Sequence, residues 1–154
     1  MIDQRTFRQA LGRFPTGVTV VTTTGPDGPL GITVNSFASV SLDPPLVLWS
    51  PARESDRFPA FEAASHFAVH VLAVDQQWIA EGFAQSGDAP FAALEIAEGI
   101  GGVPIFEGAV TRLECRHAAD HDGGDHLIVV GEVLRITDAD RPALAFYCGA
   151  YRAL

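Results

Sequence analysis

The chain contains no lysine, and all ten of its basic side chains are arginine. A lysine Schiff base with pyridoxal phosphate and the lysine of a phosphate-binding P-loop are therefore excluded. No GxGxxG motif follows a predicted strand, so any dinucleotide is held in some other way than in a Rossmann fold.

Cysteine is also scarce, since Cys115 and Cys148 are the only two. Two isolated cysteines form neither a disulfide framework nor a CxxC redox pair, and we expect buried free thiols. Several possible metal ligands follow Cys115 within a short stretch: His117, His121, Asp122, Asp125 and His126. Their spacing matches no recognised zinc pattern, and we expect no metal site.

Positive charge is in the minority, because 19 acidic residues give the chain a formal net charge of -9. Such a chain repels nucleic-acid phosphates and anionic membranes at long range, and no basic run offsets this. The segment from Met1 to Arg5 lacks the apolar region of a signal peptide, and no apolar run reaches the length of a membrane span. We therefore expect a cytoplasmic protein that binds neither nucleic acid nor membrane.

The chain does contain enough apolar material for a core, with 47% hydrophobic residues among 154. One globular domain over residues 1–154 is the corresponding expectation. Phe7, Leu11 and Phe14 recur at helical spacing ahead of Pro15, which predicts a first helix that caps the core. A later helix over 76–84 is predicted to bury Ile79, Ala80 and Phe83.

The rest of the chain alternates extended runs with turns. Val18 to Thr23 and Leu30 to Ser36 predict a hairpin, and the last third of the chain is extended again. With about six or seven strands and only short helices, a small closed barrel is the simplest way to avoid exposed sheet edges.

The stretch from Gly31 to Trp49 has the pattern strand, polar corner, strand. The corner places Thr33, Asn35, Ser36, Ser39 and Ser41 between two apolar runs. Several hydroxyls, one amide and nearby backbone N–H groups can therefore converge on one polar ligand. A hydrogen-bonded turn with no ligand is the alternative, because Ser and Asn satisfy backbone groups in many turns.

The same stretch resembles a known family. Thr33-x-Asn35-Ser36-Phe37 and Ser39-x-Ser41-Leu42-Asp43-Pro44-Pro45 are similar to the flavin corner of the short-chain flavin reductases. The likeness begins at Phe7 to Thr22, returns at Gly124-Asp125-His126 and ends at Tyr147-x-Gly149-x-Tyr151. The resemblance implies a mainly β fold, the FMN-binding split barrel, with a few short helices.

The resemblance also implies an activity, NAD(P)H-dependent flavin reduction, in which hydride passes from NADH or NADPH to FMN or FAD. In this family the protein is often the small partner of a flavin-dependent monooxygenase, and a homodimer completes the flavin site. Two alternatives stay open: a non-catalytic flavin carrier, and a split-barrel FMN oxidase of a small amine. The Gly124-Asp125-His126 motif favours the reductase, because a carrier needs no nicotinamide site.

Carried over residue by residue, the family pattern gives three groups of candidate residues. The flavin ring and ribityl chain are assigned to Ile32, Thr33, Val34, Asn35 and Ser36, with Ser39 near. The flavin phosphate is assigned to Ser50, Arg53 and Ser55, although an Arg and Ser pair is more often solvated surface. The nicotinamide side is assigned to His126, Tyr147, Gly149 and Tyr151, with His126 as the catalytic candidate.

One position departs from the family pattern. His70 stands where the family usually has Asn, and we expect this position to lie close to the cofactor. The details of flavin contact, and the preferred flavin, depend on what that imidazole does.

Overall fold

The computed structural model describes all 154 residues. The helices are α1 (Gln4–Gly12), α2 (Phe58–Ala63) and α3 (Gln77–Gln85), and short 3-10 turns occupy Val74–Gln76, Ala89–Ala93 and Ile100–Gly102. The strands are β1 (Thr16–Gly17), β2 (Thr19–Gly25), β3 (Gly28–Val34), β4 (Ala38–Leu42), β5 (Pro45–Trp49), β6 (His66–Val71), β7 (Ala97–Glu98), β8 (Pro104–Ile105), β9 (Thr111–Gly123), β10 (His126–Asp138), β11 (Leu144–Tyr147) and β12 (Ala150–Ala153). No helix combines the length and the apolar character that crossing a membrane would require.

Seven strands form one antiparallel sheet in the order β3-β2-β6-β9-β10-β5-β4. Its two edge strands, β3 and β4, follow each other in the chain and are separated only by residues 35–37. Because such a link spans at most about 14 Å, the sheet has to curl until its two edges approach each other. The predicted mainly β, split-barrel fold is confirmed, with the split at the polar corner.

Strand β2 of the main sheet is buried on both faces, which explains why its sequence is a continuous β-branched run. Val21 packs into the barrel interior with Trp49 and Phe67. Its neighbour Val20 points the other way, into a second cluster that includes Leu144 from β11. Strand β11 pairs with β1 and β12 in a separate three-stranded sheet that adjoins this outer face.

Helix α3 covers the outer cluster, as its apolar spacing predicted. Ile79, Ala80 and Phe83 are its buried residues. A Cβ on Gly31 would lie 2.6 Å from the Phe83 ring, so β3 needs glycine there to let the helix approach.

Helix α1 forms where predicted, but it does not cap the core. None of its residues is buried, and Phe7 and Leu11 are 54% and 58% exposed. Its polar side faces the body instead, where Gly12 O accepts a hydrogen bond of 2.9 Å from Cys148 N–H. The spacing fixed which residues share a face, but not which face meets the protein.

The predicted polar corner is shorter than expected. Ser39 and Ser41 belong to β4, where they pair with Val47 and Leu46 of β5. The stretch therefore contains three strands rather than two: β3, the corner over residues 35–37, and then β4 and β5, which pair as a hairpin. The sequence did not predict β4, because its serines are not among the residues that favour strands.

Candidate functional site

A groove opens beside the end of β3, with a volume of about 210 Å³. Its lining residues are Val18, Thr33, Val34, Asn35, Phe146 and Tyr151. Phe146 and Tyr151 pack edge to face, with ring centroids 5.1 Å apart. The groove thus joins an aromatic, apolar wall to the polar end of β3, which suits a flat and partly polar ring.

The groove brings together residues that the sequence assigned to two different ligands. Thr33, Val34 and Asn35 were assigned to the flavin, whereas Tyr151 was assigned to the nicotinamide side. Burial raises the pKa of Tyr151, and the charge of Glu81 acts in the same direction. The phenol is therefore a neutral hydrogen-bond donor at physiological pH.

Two groove residues, Val18 and Phe146, were missed by sequence reasoning. Neither carries a polar group, so residue chemistry gave no signal. Phe146 precedes Tyr147 of the quoted C-terminal motif, and that adjacency was the only available indication.

The polar side chains of the groove differ in whether their hydrogen-bonding groups are free to bind a ligand. The Thr33 hydroxyl donates to Ala80 O at 2.7 Å, so its proton is already used to hold α3. Asn35 is exposed, and its side-chain amide makes no hydrogen bond within the chain. Asn35 is therefore the free donor and acceptor of the corner. Ile32 packs against the barrel core and does not line the groove.

Ser36 ties the corner to the end of β5. Its hydroxyl oxygen accepts a hydrogen bond of 3.0 Å from Ser50 N–H. This bond places Ser36 beside the segment that was assigned to the flavin phosphate. Ser39 is exposed on the adjoining edge strand β4.

Arg53 of that segment reaches across to the hairpin between β9 and β10. Its guanidinium binds Asp122 Oδ1 at 2.7 Å and Gly124 O at 3.0 Å, and its backbone N–H donates to Asp125 O at 2.9 Å. Ser55 accepts a hydrogen bond of 3.2 Å from Arg57 N–H, within a turn. Part of the charge of Arg53 is therefore balanced by Asp122 before any ligand binds.

His126 lies next to this segment, as the first residue of β10. It pairs with Ala52, and its Nδ1 lies 2.7 Å from Asp125 Oδ1. The hydrogen bond to His126 is the main reason that the pKa of Asp125 lies below its ordinary value. Because Nδ1 faces Asp125, Nε2 is the free ring nitrogen of His126. The side chain is 44% exposed, so Nε2 is accessible to a ligand.

The structure does not bring His126 together with the other nicotinamide candidates. No hydrogen bond, ring contact or shared cavity joins it to Tyr147, Gly149 or Tyr151 within one chain. Cys148 and Gly149, with φ of 49° and 78°, form the two-residue turn between β11 and β12. This turn lies against α1 and does not itself line the groove.

His70 does not line the groove. It is fully buried, stacks on Phe106 at 4.0 Å and binds Val20 O through Nδ1 at 3.2 Å. Its Nε2 accepts a hydrogen bond of 3.3 Å from Phe106 N–H. Burial lowers the pKa of His70 to about 3, so the ring is a neutral part of the outer core.

The possible metal ligands between Cys115 and His126 make separate contacts and do not form one site. Cys115 is buried, and burial raises the pKa of its thiol to about 12. Cys148 is exposed, which corrects the expectation of two buried thiols. His117 binds Ala64 O at 2.8 Å and also contacts Asp120. No group of three or more His, Cys, Asp or Glu side chains is arranged to hold a metal ion.

Known proteins resemble this chain over nearly its whole length. The flavin reductase-like domain model matches residues 11–154. FMN reductase (NADH) SmoA of Agrobacterium fabrum is 57% identical over 149 residues, which is 97% of this chain and 85% of that protein. HsaB, the reductase subunit of a flavin-dependent monooxygenase of Mycobacterium tuberculosis, is 41% identical over 157 residues, which is 99% of this chain and 83% of that protein.

A solved structure agrees with these relatives. The NADH:FAD oxidoreductase SgcE6 of Streptomyces globisporus, in complex with NAD and FAD fragments, superposes with a TM-score of 0.91 at 39% identity. The match covers 99% of this chain and 94% of that chain. The chain therefore belongs to the flavin reductase-like domain family.

Proposed function

We propose that this protein is an NAD(P)H-dependent flavin reductase, and that NADH is its donor and FMN or FAD its acceptor. The groove between the end of β3 and the aromatic pair of β11 and β12 carries this proposal. It offers one unpaired amide, Asn35, beside apolar and aromatic walls. NADH is preferred because SmoA and SgcE6 are both named for NADH.

The residues of the groove fit a flavin in chemistry. The aromatic ring has apolar walls to pack on, and its polar edge has the Asn35 amide and backbone groups of the corner to bind. When bound, the flavin supplies the hydride acceptor and the reduced nicotinamide supplies the hydride, so the chain has to bind and orient two rings.

Each candidate group has a proposed task in that orientation. Ile32 to Ser36, with Ser39, hold the flavin ring and ribityl chain, and Ser50, Arg53 and Ser55 lie at its phosphate. His126 offers Nε2 to the nicotinamide carboxamide while Asp125 fixes the ring through Nδ1. Tyr147, Gly149 and Tyr151 contribute to the nicotinamide side.

The protein is also proposed to act as a homodimer, and three observations support this. Helix α1 turns its apolar face outward, with Leu11 58% exposed, and Phe14 just after the helix is 75% exposed. The groove of about 210 Å³ is smaller than the roughly 300–1,000 Å³ of typical ligand pockets. His126 and Tyr151 are separate within one chain. A second copy packed on α1 would bury the apolar face and could complete both the groove and the nicotinamide side.

A partner monooxygenase that consumes the reduced flavin is proposed as well. It is supported by the name of HsaB, which is the reductase subunit of such an enzyme.

The activity is tested by mixing the purified protein with NADH or NADPH, with and without FMN or FAD, and following the absorbance of reduced nicotinamide. We expect NADH to be oxidised only when flavin is present. Flavin binding without oxidation of either nicotinamide would indicate a carrier instead. Oxidation of a small amine with oxygen, and none of NADH, would indicate an oxidase.

The role of His126 is tested by His126→Ala, with His121→Ala as the control because His121 is an exposed histidine of the same hairpin. We expect His126→Ala to retain flavin affinity and to lower turnover with NADH about threefold to tenfold, the cost of one hydrogen bond. Reduction of the bound flavin by dithionite should be the same in both variants. Loss of flavin binding in His126→Ala, with normal turnover per bound flavin, would reassign the residue.

A further inference from the structure

A second cavity, larger than the groove, lies between α1 and the Cys148–Gly149 turn and has a volume of about 820 Å³. We call it the arginine cleft, because Arg5, Arg8 and Arg13 line it. Neither the flavin corner nor His126 contributes to it. Apart from Cys148, its lining is polar or glycine, so it is built for a polar ligand.

The three arginines of the cleft have no partner in the chain. Arg53, Arg57, Arg112, Arg116 and Arg135 each pair with a carboxylate, whereas Arg5, Arg8 and Arg13 make no ion pair or side-chain hydrogen bond. The exposed Arg141 and Arg152 also lack a partner, but they lie outside the cleft. The three cleft arginines differ from these two because they line one cavity together. Their free guanidinium groups form a cluster of positive charge that matches an anion with several oxygen atoms.

The single carboxylate of the cleft does not neutralise this charge. Asp3 accepts hydrogen bonds of 2.9 Å from both the backbone N–H and the hydroxyl of Thr6, as the N-cap of α1. The backbone hydrogen bond from Thr6 is the main cause that holds the pKa of Asp3 below its ordinary value. Asp3 is therefore committed to the helix end.

The position of the arginines also works against the helix. Arg5 lies in the first turn of α1, which contains no acidic residue. A cation near the positive end of the helix dipole is unfavourable, and a bound anion would remove that conflict. Features that break a local rule without any compensating contact are expected at functional positions.

The cleft and the groove are joined by one short strand. Gly149 lines the cleft and Tyr151 lines the groove. Two residues of extended chain span about 7 Å, so the two cavities are close neighbours along β12. A nicotinamide ring stacked on a flavin at the groove would therefore have its diphosphate, one ribose away, within reach of the cleft.

We propose that the arginine cleft binds the diphosphate of the reduced nicotinamide dinucleotide, a proposal that rests on the flavin reductase function proposed above. Arg5 and Arg8 supply the charged hydrogen-bond donors. The space beside Gly149 is open to a ligand, since no atom of the chain lies within 4 Å of the position that a Cβ would occupy.

The test compares the double variant Arg5→Gln, Arg8→Gln with a control, Arg141→Gln, Arg152→Gln. The control removes the same charge from two exposed arginines outside the cleft. Binding of ADP is measured by titration calorimetry. KM and kcat are measured with NADH and with reduced nicotinamide mononucleotide, and the Kd for FMN is measured by fluorescence.

For the cleft variant we expect ADP affinity to fall by about tenfold or more, since hydrogen bonds between charged groups are lost. KM for NADH should rise by a similar factor with kcat unchanged. The reduced mononucleotide lacks the ADP part, so its KM should change no more than in the control. The Kd for FMN should also match the control.

Equal ADP affinity in the two double variants would overturn the proposal. Weaker FMN binding, with an unchanged KM for NADH, would overturn it too and would assign the cleft to the flavin phosphate. If the wild-type protein oxidises no nicotinamide but ADP binding still depends on Arg5 and Arg8, the phosphate site stands. In that case the assignment to nicotinamide falls together with the proposed function.

Discussion

Among the residues of the corner, Asn35 has its side chain free while its neighbours are engaged. Ser36 accepts from the Ser50 amide and Thr33 donates to Ala80 O. The free amide is thus the group most directly available to a bound flavin. A residue without internal partners can be removed with little effect on the fold.

Asn35→Ala is therefore expected to raise the Kd for FMN about threefold to tenfold, the cost of one neutral hydrogen bond, and to leave the melting temperature unchanged. Ser41→Ala is the control, because Ser41 lies on β4 and not in the groove. Fluorescence titration and thermal unfolding measure the two effects. An unchanged Kd would remove Asn35 from the flavin site.

His70 illustrates a titratable residue that acts on stability rather than on the ligand. Its pKa falls from 6.5 to about 3 because burial disfavours the charged ring. Between these two values the unfolded chain binds a proton at His70 that the folded chain does not. The free energy of unfolding therefore falls as the pH is lowered through this range, by up to about 1.4 kcal/mol per pH unit.

His70→Asn, which introduces the usual residue of the family, should flatten this dependence. Urea unfolding at a series of pH values between 3 and 6.5 measures the slope for both proteins. The exposed His121→Asn variant serves as the control and should keep the wild-type slope. Identical slopes for His70→Asn and wild type would show that His70 is protonated in the fold.

At the scale of elements, α3 and β3 are joined through Thr33. Its hydroxyl bond to Ala80 O is 2.7 Å long and links residues 47 positions apart. Thr33→Val keeps the shape of the groove wall but removes this bond, so the free energy of unfolding should fall by about 1 kcal/mol. FMN affinity should change less than in Asn35→Ala. A large loss of FMN affinity without a loss of stability would mean that the hydroxyl serves the ligand.

Helix α1 is the element on which the proposed homodimer rests. Its apolar side, which includes Phe7 and Leu11, points away from the body. Leu11→Glu should convert the dimer into a monomer of 16.4 kDa in analytical sedimentation, because a charge cannot be buried in an apolar interface. Ile96→Glu, at an exposed apolar residue elsewhere, should remain dimeric. A wild-type protein that sediments as a monomer would contradict the dimer.

For the whole molecule, dimerisation and flavin binding are expected to be coupled. The groove of one chain is small and open, and in the proposed dimer the second copy would enclose the ring. Leu11 does not line the groove, yet Leu11→Glu should weaken FMN binding by about tenfold or more, as linkage requires when only the dimer binds tightly. Fluorescence titrations at several protein concentrations measure this effect. Equal FMN affinity in the monomeric variant and the wild type would show that one chain is sufficient.

The sequence alone determined the family, the mainly β class and the buried face of α3. These follow from signals that are local in the chain: ordered motifs, β-branched runs and the helical spacing of Ile79, Ala80 and Phe83. It also placed Asn35 at a polar corner and excluded lysine chemistry outright. Local periodicity is sufficient for such conclusions, because it depends only on backbone geometry.

The tertiary structure decided everything that depends on which distant groups meet. It turned the polar face of α1 toward the body and placed its arginines beside the Cys148–Gly149 turn. It used the Thr33 hydroxyl for α3, buried His70 against Phe106 and separated His126 from Tyr151. The spacing of residues in a sequence predicts which of them share a face of a helix or strand. Which other element packs against that face depends on residues far away in the chain.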